Sequence, residues 1–228
     1  MTPKYKKERA RSEEKKAIQF ERILEAGKKL FLEKGSEGFS MRNLADILGM
    51  NKNNLYNYVE SKRELWIAIR NKFYNQIKEE NVKIVKNHEG TVSDLLIKLF
   101  KHFLEFAESD YGKFKMMFNF IETPPSNKIG AIEKEYREFR LLDGTTKLLQ
   151  EAIDKGEIKT KNSSLLSLFI FSLIMGVAYI EMHRTVDFVG TPVHIWETIQ
   201  LSTLDVSSEE FQNYTLKVIE YLLKYDIK

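Results

Sequence analysis

Apolar residues recur at three- and four-residue intervals along most of the chain. From Ala17, the positions Ile18, Ile23, Leu24, Gly27, Leu30 and Phe31 define one helical face that ends in EKGSEGF, where glycine stops the helix. Ser40 then offers an N-cap, and Met41, Leu44, Ala45 and Leu48 repeat the spacing as far as Gly49. A third short helix is predicted from Asn51, with Leu55 and Val59 on its inner face and a stop before Glu60. Ser61 and Glu64 have the Ser-x-x-Glu spacing of a capping box, opening a longer helix through Leu65, Ile69, Phe73 and Ile77.

Beyond residue 90, helical spacing continues in candidate segments at about 91–108, 111–122, 126–156, 163–186 and 207–226. No alternating strand pattern or Asn-Gly hairpin interrupts them. Prolines stand only at 3, 124, 125 and 192, so helices can run unbroken between them. The expected fold is therefore all-α, with about nine helices. The pair Pro124-Pro125 separates two of them, and GTPVHIWETIQLSTLDVSS is a long connection before the last. The apolar run LLSLFIFSLIMGVAYI, residues 165–180, falls short of the ~20 residues a bilayer span requires and meets Glu181, His183 and Arg184, which predicts a buried helix.

Composition narrows the class. There is no cysteine, hence no disulfide framework, thiol nucleophile or thiolate metal site. The N-terminal MTPKYKKERARSEEKK lacks the apolar core of a signal peptide, which predicts a cytoplasmic protein. Charge is unevenly placed: residues 1–70 hold 16 Lys+Arg against 10 Asp+Glu, a net of +6, whereas the remainder nets −3. A basic head on a slightly acidic body suits a nucleic-acid-binding module joined to a separate domain. The first 16 residues taken alone also suit a solvated, solubilising arm.

The third helix carries the candidate chemistry. With Leu55 and Val59 turned inward, a step of about 100° per residue turns Asn53, Asn54 and Asn57 outward and sets Tyr56 and Tyr58 on the flanks. Asparagine amides pair with an adenine edge or bond a phosphate, and a tyrosine hydroxyl can do the latter. Two short helices joined through a glycine turn and resting on a first helix form a helix-turn-helix. Asn51 also suits a plain cap.

The stretch ILEAGKKLFLEKGSEGFSMRNLADILGMNKNNLYNYVESKRELW, residues 23–66, resembles the DNA-binding domain of the TetR family of transcriptional repressors. The matching features are Phe-Leu-Glu-Lys-Gly closing the first helix, Ser-Met-Arg opening the second, Leu-Ala-Asp-Ile-Leu-Gly into the turn, Lys52, Leu55-Tyr56, and Ser61-Lys62 with Leu65. The resemblance implies a DNA-contacting set of Ser40, Met41, Arg42, Asn51, Lys52, Asn53, Asn54, Tyr56, Asn57, Tyr58 and Lys62. Ser40 and Arg42 would meet the sugar-phosphate backbone, Lys52 and Asn53 the base edges, Tyr56 a phosphate. Lys62, at a helix N-terminus, would grip a phosphate by charge and exposed amides together. The family often has Ser, Gly and Thr where this chain has Asn51, Asn53 and Asn54, and Phe in place of Val59, so the resemblance implies the docking mode and not the base preference. The basic arm before Ala17 would follow the DNA backbone or enter the minor groove, or else serve solubility.

The resemblance further implies a helical C-terminal domain that dimerises and encloses a small-molecule pocket. The expected organisation is an arm at 1–16, a DNA-binding domain at 17–64 and a ligand-binding and dimerisation domain at 65–228. The dimer surface would come from helices 163–186 and 207–226, where Gly176 permits close approach. Phe100, Phe103, Phe114, Met117, Phe118, Ile121, Tyr136, Phe139, Phe171, Met175 and Tyr179 are the candidate pocket lining. They suit a fatty-acyl group, an aromatic compound or a cationic drug, and equally an ordinary core. His102 and His183 are candidates for a ligand's polar end, or ordinary histidines of an apolar helix. No cofactor is expected. An enzyme is disfavoured: His-Glu-x-x-His, Gly-x-Ser-x-Gly and a phosphate-cradling glycine loop are all missing, and His88, His102, His183 and His194 lack paired ligand spacing. The expected activity is repression released by a small, largely apolar ligand. The alternative is a nucleoid-associated DNA-binding factor of the same fold that acts through a protein partner.

Overall fold

A computed structural model describes residues 3–118, 121–137, 139–185 and 204–225. Among the described residues there are ten helices and no strand, an all-α fold with an N-terminal helix-turn-helix and a helical C-terminal part. They are α1 (Pro3–Gly38), α2 (Met41–Leu48), α3 (Lys52–Leu55), α4 (Lys62–Lys86), α5 (Val92–Ser109), α6 (Tyr111–Met117), α7 (Ala131–Glu135), α8 (Leu141–Asp154), α9 (Ser163–Thr185) and α10 (Ser208–Lys224).

Several boundaries differ from the sequence expectation. The segment 1–16, expected as an arm separate from the first helix, is helical from Pro3 and continuous with α1. The expected helix 111–122 ends at Met117, and of 126–156 the part before Ala131 is not helical while the rest is divided into α7 and α8, because the backbone leaves the helical region at Tyr136 (φ −59°, ψ 133°). Regular α-helix in the third element stops at Leu55. A turn with Asn57 and Tyr58 amides bonded three residues back, at 3.3 and 2.9 Å, carries the chain to Val59. Of the long connection read at 190–208, residues 190–203 lie outside the described residues.

The chain forms two compact units, and the boundary is not at 64/65. The first comprises Met1–Gln76 and Gly112–Glu138, the second Ile77–Tyr111 and Phe139–Lys228. The helix α4 is shared along its length, because its apolar face continues past Phe73 to Ile77.

In the first unit, Ile23, Leu24, Leu30 and Phe31 of α1 are buried with Leu44 and Ala45 of α2, Leu55, Val59, and Leu65, Ile69 and Phe73 of α4. Burying each of the larger side chains contributes about 1.5–3 kcal/mol. At the surface of this unit, Lys72 bridges Glu21 and Glu25 at 2.5 and 2.8 Å. Burial alone would raise the Glu25 carboxyl, but the Lys72 and Lys28 ammonium groups outweigh it and hold the carboxyl below its usual range.

In the second unit, α5 packs against α8, α9 and α10. Its start is closed by a capping box in which Thr91 and Asp94 exchange hydrogen bonds, and Ser207 with Glu210 does the same for α10. One face of α9 is buried through Leu166, Ile170, Ile174 and Val177, and Glu181, also buried, pairs with Arg184 at 2.9 Å. The opposite face exposes Leu165, Leu168 and Phe169. The segment Ser163–Arg184 is 22 residues long and apolar enough to cross a bilayer, longer than the 16-residue run seen in the sequence because Ser163 and Ser164 extend the helix backward and Glu181–Arg184 extend it forward. A helix with one face packed on its own chain and a buried ion pair near its end reads as a core helix with one open side.

Candidate nucleic-acid interface

The interface is assembled by three local devices. Ser40, extended at φ −133° and ψ 130°, caps α2 by accepting the Arg42 and Asn43 amides at 3.1 and 3.3 Å. Gly49 closes α2 in the left-handed region, φ 63° and ψ 34°, a conformation that suits glycine and turns the chain sharply toward α3. Asn51 then caps α3, its Oδ1 accepting the Asn53 amide at 2.9 Å. Together they set α3 on α2 with Leu55 inward and Lys52, Asn53 and Asn54 exposed.

The expected DNA-contacting residues divide by what their side chains touch. Arg42, Lys52, Asn53, Asn54 and Asn57 are exposed, and Tyr56 is 37% exposed with the Lys52 ammonium 5.9 Å from its ring centroid. Ser40 and Asn51 are occupied as caps. Met41 is a core side chain rather than a surface one, since the first position of α2 faces α1. Tyr58 is half-buried and turned to α1: it stacks on Phe20, centroids 6.0 Å apart and planes 8° from parallel, with Lys16 over its ring at 5.8 Å. The Lys62 ammonium donates to the Ser36 and Phe39 carbonyls at 2.5 and 3.5 Å, satisfying groups at the end of α1. The outward row is thus three amides, an ammonium, a phenol and a guanidinium. It offers donors for phosphates and base-edge pairing groups in one strip.

Glu64 was legible only as half of a capping box. Its amide does donate to Ser61 Oγ at 3.1 Å, but its carboxylate accepts the Glu60 amide at 2.5 Å and the Ile132 amide at 2.7 Å instead of returning to Ser61. No spacing signal announces a partner 68 residues away.

The candidate pocket residues divide between the two units. Phe114, Met117 and Ile121 are buried in the first, and Phe118 and Tyr136 are half-buried there. In the second unit Phe100 is buried, while Phe103, Phe139, Phe171, Met175, Tyr179 and His183 are half-buried. His102 stands between Asn81 Oδ1 at 2.9 Å and Glu80 Oε2 at 3.0 Å. Two cavities among the described residues have other linings. One of about 310 Å³ is bounded by Glu13, Lys16, Ala17, Phe20, Asn57, Tyr58 and Ile132, and one of about 410 Å³ by residues of α5 and α10 with Glu89.

A capped two-helix turn that presents this strip, within an all-helical chain, defines the class: a helix-turn-helix DNA-binding protein. Residues 23–69 match the family described as bacterial regulatory proteins, tetR family. The match spans the helix-turn-helix and the start of α4, so these residues form a DNA-binding domain of the tetR type. No curated protein sequence matches the chain. Solved structures do. A Clostridium perfringens protein described as a fatty acid metabolism regulator is 22% identical with a TM-score of 0.64, covering 90% of this chain and 99% of its own. AibR in complex with isovaleryl coenzyme A and operator DNA is 15% identical, TM-score 0.60, covering 88% and 97%. The ketosteroid transcriptional regulator KstR2 of Mycobacterium tuberculosis is 16% identical, TM-score 0.61, covering 91% and 96%. At these identities the likeness is one of fold.

Proposed function

We propose that this chain is a cytoplasmic, homodimeric repressor that binds a palindromic operator and releases it when a small, largely apolar ligand occupies its helical body. The observation that carries the DNA-binding half is the exposed strip Arg42, Lys52, Asn53, Asn54, Tyr56 and Asn57 on a turn capped at both helix starts. Lys52, Asn53 and Asn54 are assigned to base edges, Arg42 and Tyr56 to phosphates. The first unit is the DNA-binding head. The second supplies the dimer contact through the exposed apolar side of α9 and the exposed tyrosines of α10. Two heads held at a fixed separation match two half-sites, so a shift in the body changes operator affinity without touching DNA.

The ligand assignment rests on α9. Phe171, Met175, Tyr179 and His183 recur every four residues in one half-buried row, which continues the side of α9 that exposes Leu168 one heptad before Met175. An aromatic, thioether and imidazole row suits an acyl or polycyclic body with one polar end. The isovaleryl coenzyme A, fatty acid and ketosteroid named for the structural neighbours are of that chemistry.

Selection of bound duplexes from a random pool near physiological salt tests the reading. An enriched palindrome supports it, and retention without enrichment favours an architectural DNA-binding factor. With the selected duplex in hand, Asn53→Ala is expected to change base preference at particular positions, each wrong base pair being worth about 1–3 kcal/mol. Tyr56→Phe is expected to weaken all duplexes about equally; a position-specific effect would remove Tyr56 from the phosphate set. A panel of short acyl coenzyme A thioesters, fatty acids and sterols tests the ligand. The binder is expected to raise the melting temperature, with stabilisation of about 2.7 kcal/mol at a hundredfold excess over Kd. The same compound should release the duplex, and stabilisation without release would sink the repression mechanism.

A further inference from the structure

The geometry points to Glu64 as a positioning residue that ties the end of the DNA-recognition turn to a strap formed by residues 121–137. This rests on the regulator reading above and goes beyond it in naming what holds the turn in place. Glu64 is 2% exposed, and its two oxygens look in different directions. Oε2 accepts the amide of Glu60, the residue that follows Val59 where the recognition turn ends. Oε1 accepts the amides of Ile132 and Glu133 in the first turn of α7, at 2.7 and 3.4 Å.

Other contacts fasten the strap to the same unit. The Ser36 hydroxyl donates to the Glu122 carbonyl at the strap's start, and Arg63 pairs with Glu133 at 2.8 Å near its end. Gly130, just before α7, is buried, and a Cβ there would collide with the Glu64 carboxylate, so only glycine lets the strap come this close. In sequence, the strap is preceded by α6, whose residues from Gly112 belong to the same unit, and is followed closely by Phe139 of the second unit. Among these fastenings, the Glu64 carboxylate is the one that bonds the Glu60 amide itself.

The chemistry requires a carboxylate. Both oxygens accept and neither donates, whereas glutamine turns an amide NH2 toward one of the two facing N–H groups whichever way it is rotated. Leaving one of these part-buried amides without its acceptor loosens the end of the turn. Loosening affects register at base edges more than charge at phosphates, so specific and non-specific binding should part company.

The test is amide hydrogen exchange at Glu60 and Ile132, with affinities for the selected duplex and for an unrelated duplex, in Glu64→Gln, Glu64→Ala, Gly130→Ala and the double variant Glu64→Ala/Gly130→Ala. Protection at Leu44 and Ile69 reports that the fold is intact. Glu64→Gln and Gly130→Ala are each expected to speed exchange at both amides together and to lower specific affinity roughly tenfold, with non-specific affinity unchanged. Because the clash needs the carboxylate, Gly130→Ala should add nothing on top of Glu64→Ala. Unchanged Glu60 exchange in Gly130→Ala, equal losses on both duplexes, or additive losses in the double variant would each overturn the assignment. If the native chain selects no duplex, the regulator reading fails while the exchange measurements still decide the strap.

Discussion

A chain carrying both Leu168→Glu and Phe169→Glu is expected to sediment as a monomer and to lose operator affinity by on the order of 10³, because linked heads gain about 10²–10⁴ from simultaneous engagement. Leu168 is 54% exposed and Phe169 48%, and with Leu165 they make a contiguous apolar side on a helix whose other side is packed within its own unit. Water against such a patch is unfavourable, and in the proposed dimer a second copy of the same helix would remove it. Two buried, unpaired carboxylates would make that association prohibitively costly. The substituted positions face away from Leu166, Ile170 and Ile174, so the melting temperature of the isolated chain should change little. Analytical ultracentrifugation, with titration of the selected duplex, checks both parts. A variant that remains dimeric would move the interface elsewhere.

Phe31→Ala is expected to destabilise the head by about 3–5 kcal/mol, a large share of the stability of an ordinary domain. Phe31 is 0% exposed and stacks on Phe39, ring centroids 4.0 Å apart and planes 16° from parallel. Phe39 immediately precedes the cap residue Ser40, so this ring pair fixes how the chain leaves α1 and enters α2. Losing it both opens a cavity and frees the angle at which Arg42 is presented. Chemical denaturation followed by circular dichroism gives the stability loss. A loss under 1 kcal/mol would mean that the core refills and that the ring pair does not set the angle.

The helix-turn-helix was legible because its determinants are local. Ser40, Gly49 and Asn51 act on amides and carbonyls within a few residues, and they cap and close the short helices as their types predict. The Ser-x-x-Glu spacing at 61–64 likewise marked the start of α4, yet it misassigned the carboxylate. Periodicity also exaggerated continuity. A three-to-four spacing persists through 126–156, but the chain from 123 to 130 is not helical, since Gly130 lies extended against Glu64 to let the strap dock. Among the residues expected to contact DNA, composition could not separate Lys52, which is exposed, from Lys62, which is drawn to the Ser36 and Phe39 carbonyls. Nor could it separate Tyr56 from Tyr58, which Phe20 and Lys16 hold against α1.

What the sequence by itself determined was the all-α class, the positions of the caps and the basic, amide-rich recognition element, because each depends on interactions spanning one or two helical turns. Tertiary structure alone decided which of the polar side chains remain outward, where the first unit recruits residues 112–138, and that a buried carboxylate at 64 faces amides at 60 and 132. Those outcomes depend on which surfaces come together across long stretches of chain, and a side chain's hydrogen-bonding capacity does not state which distant donor will use it.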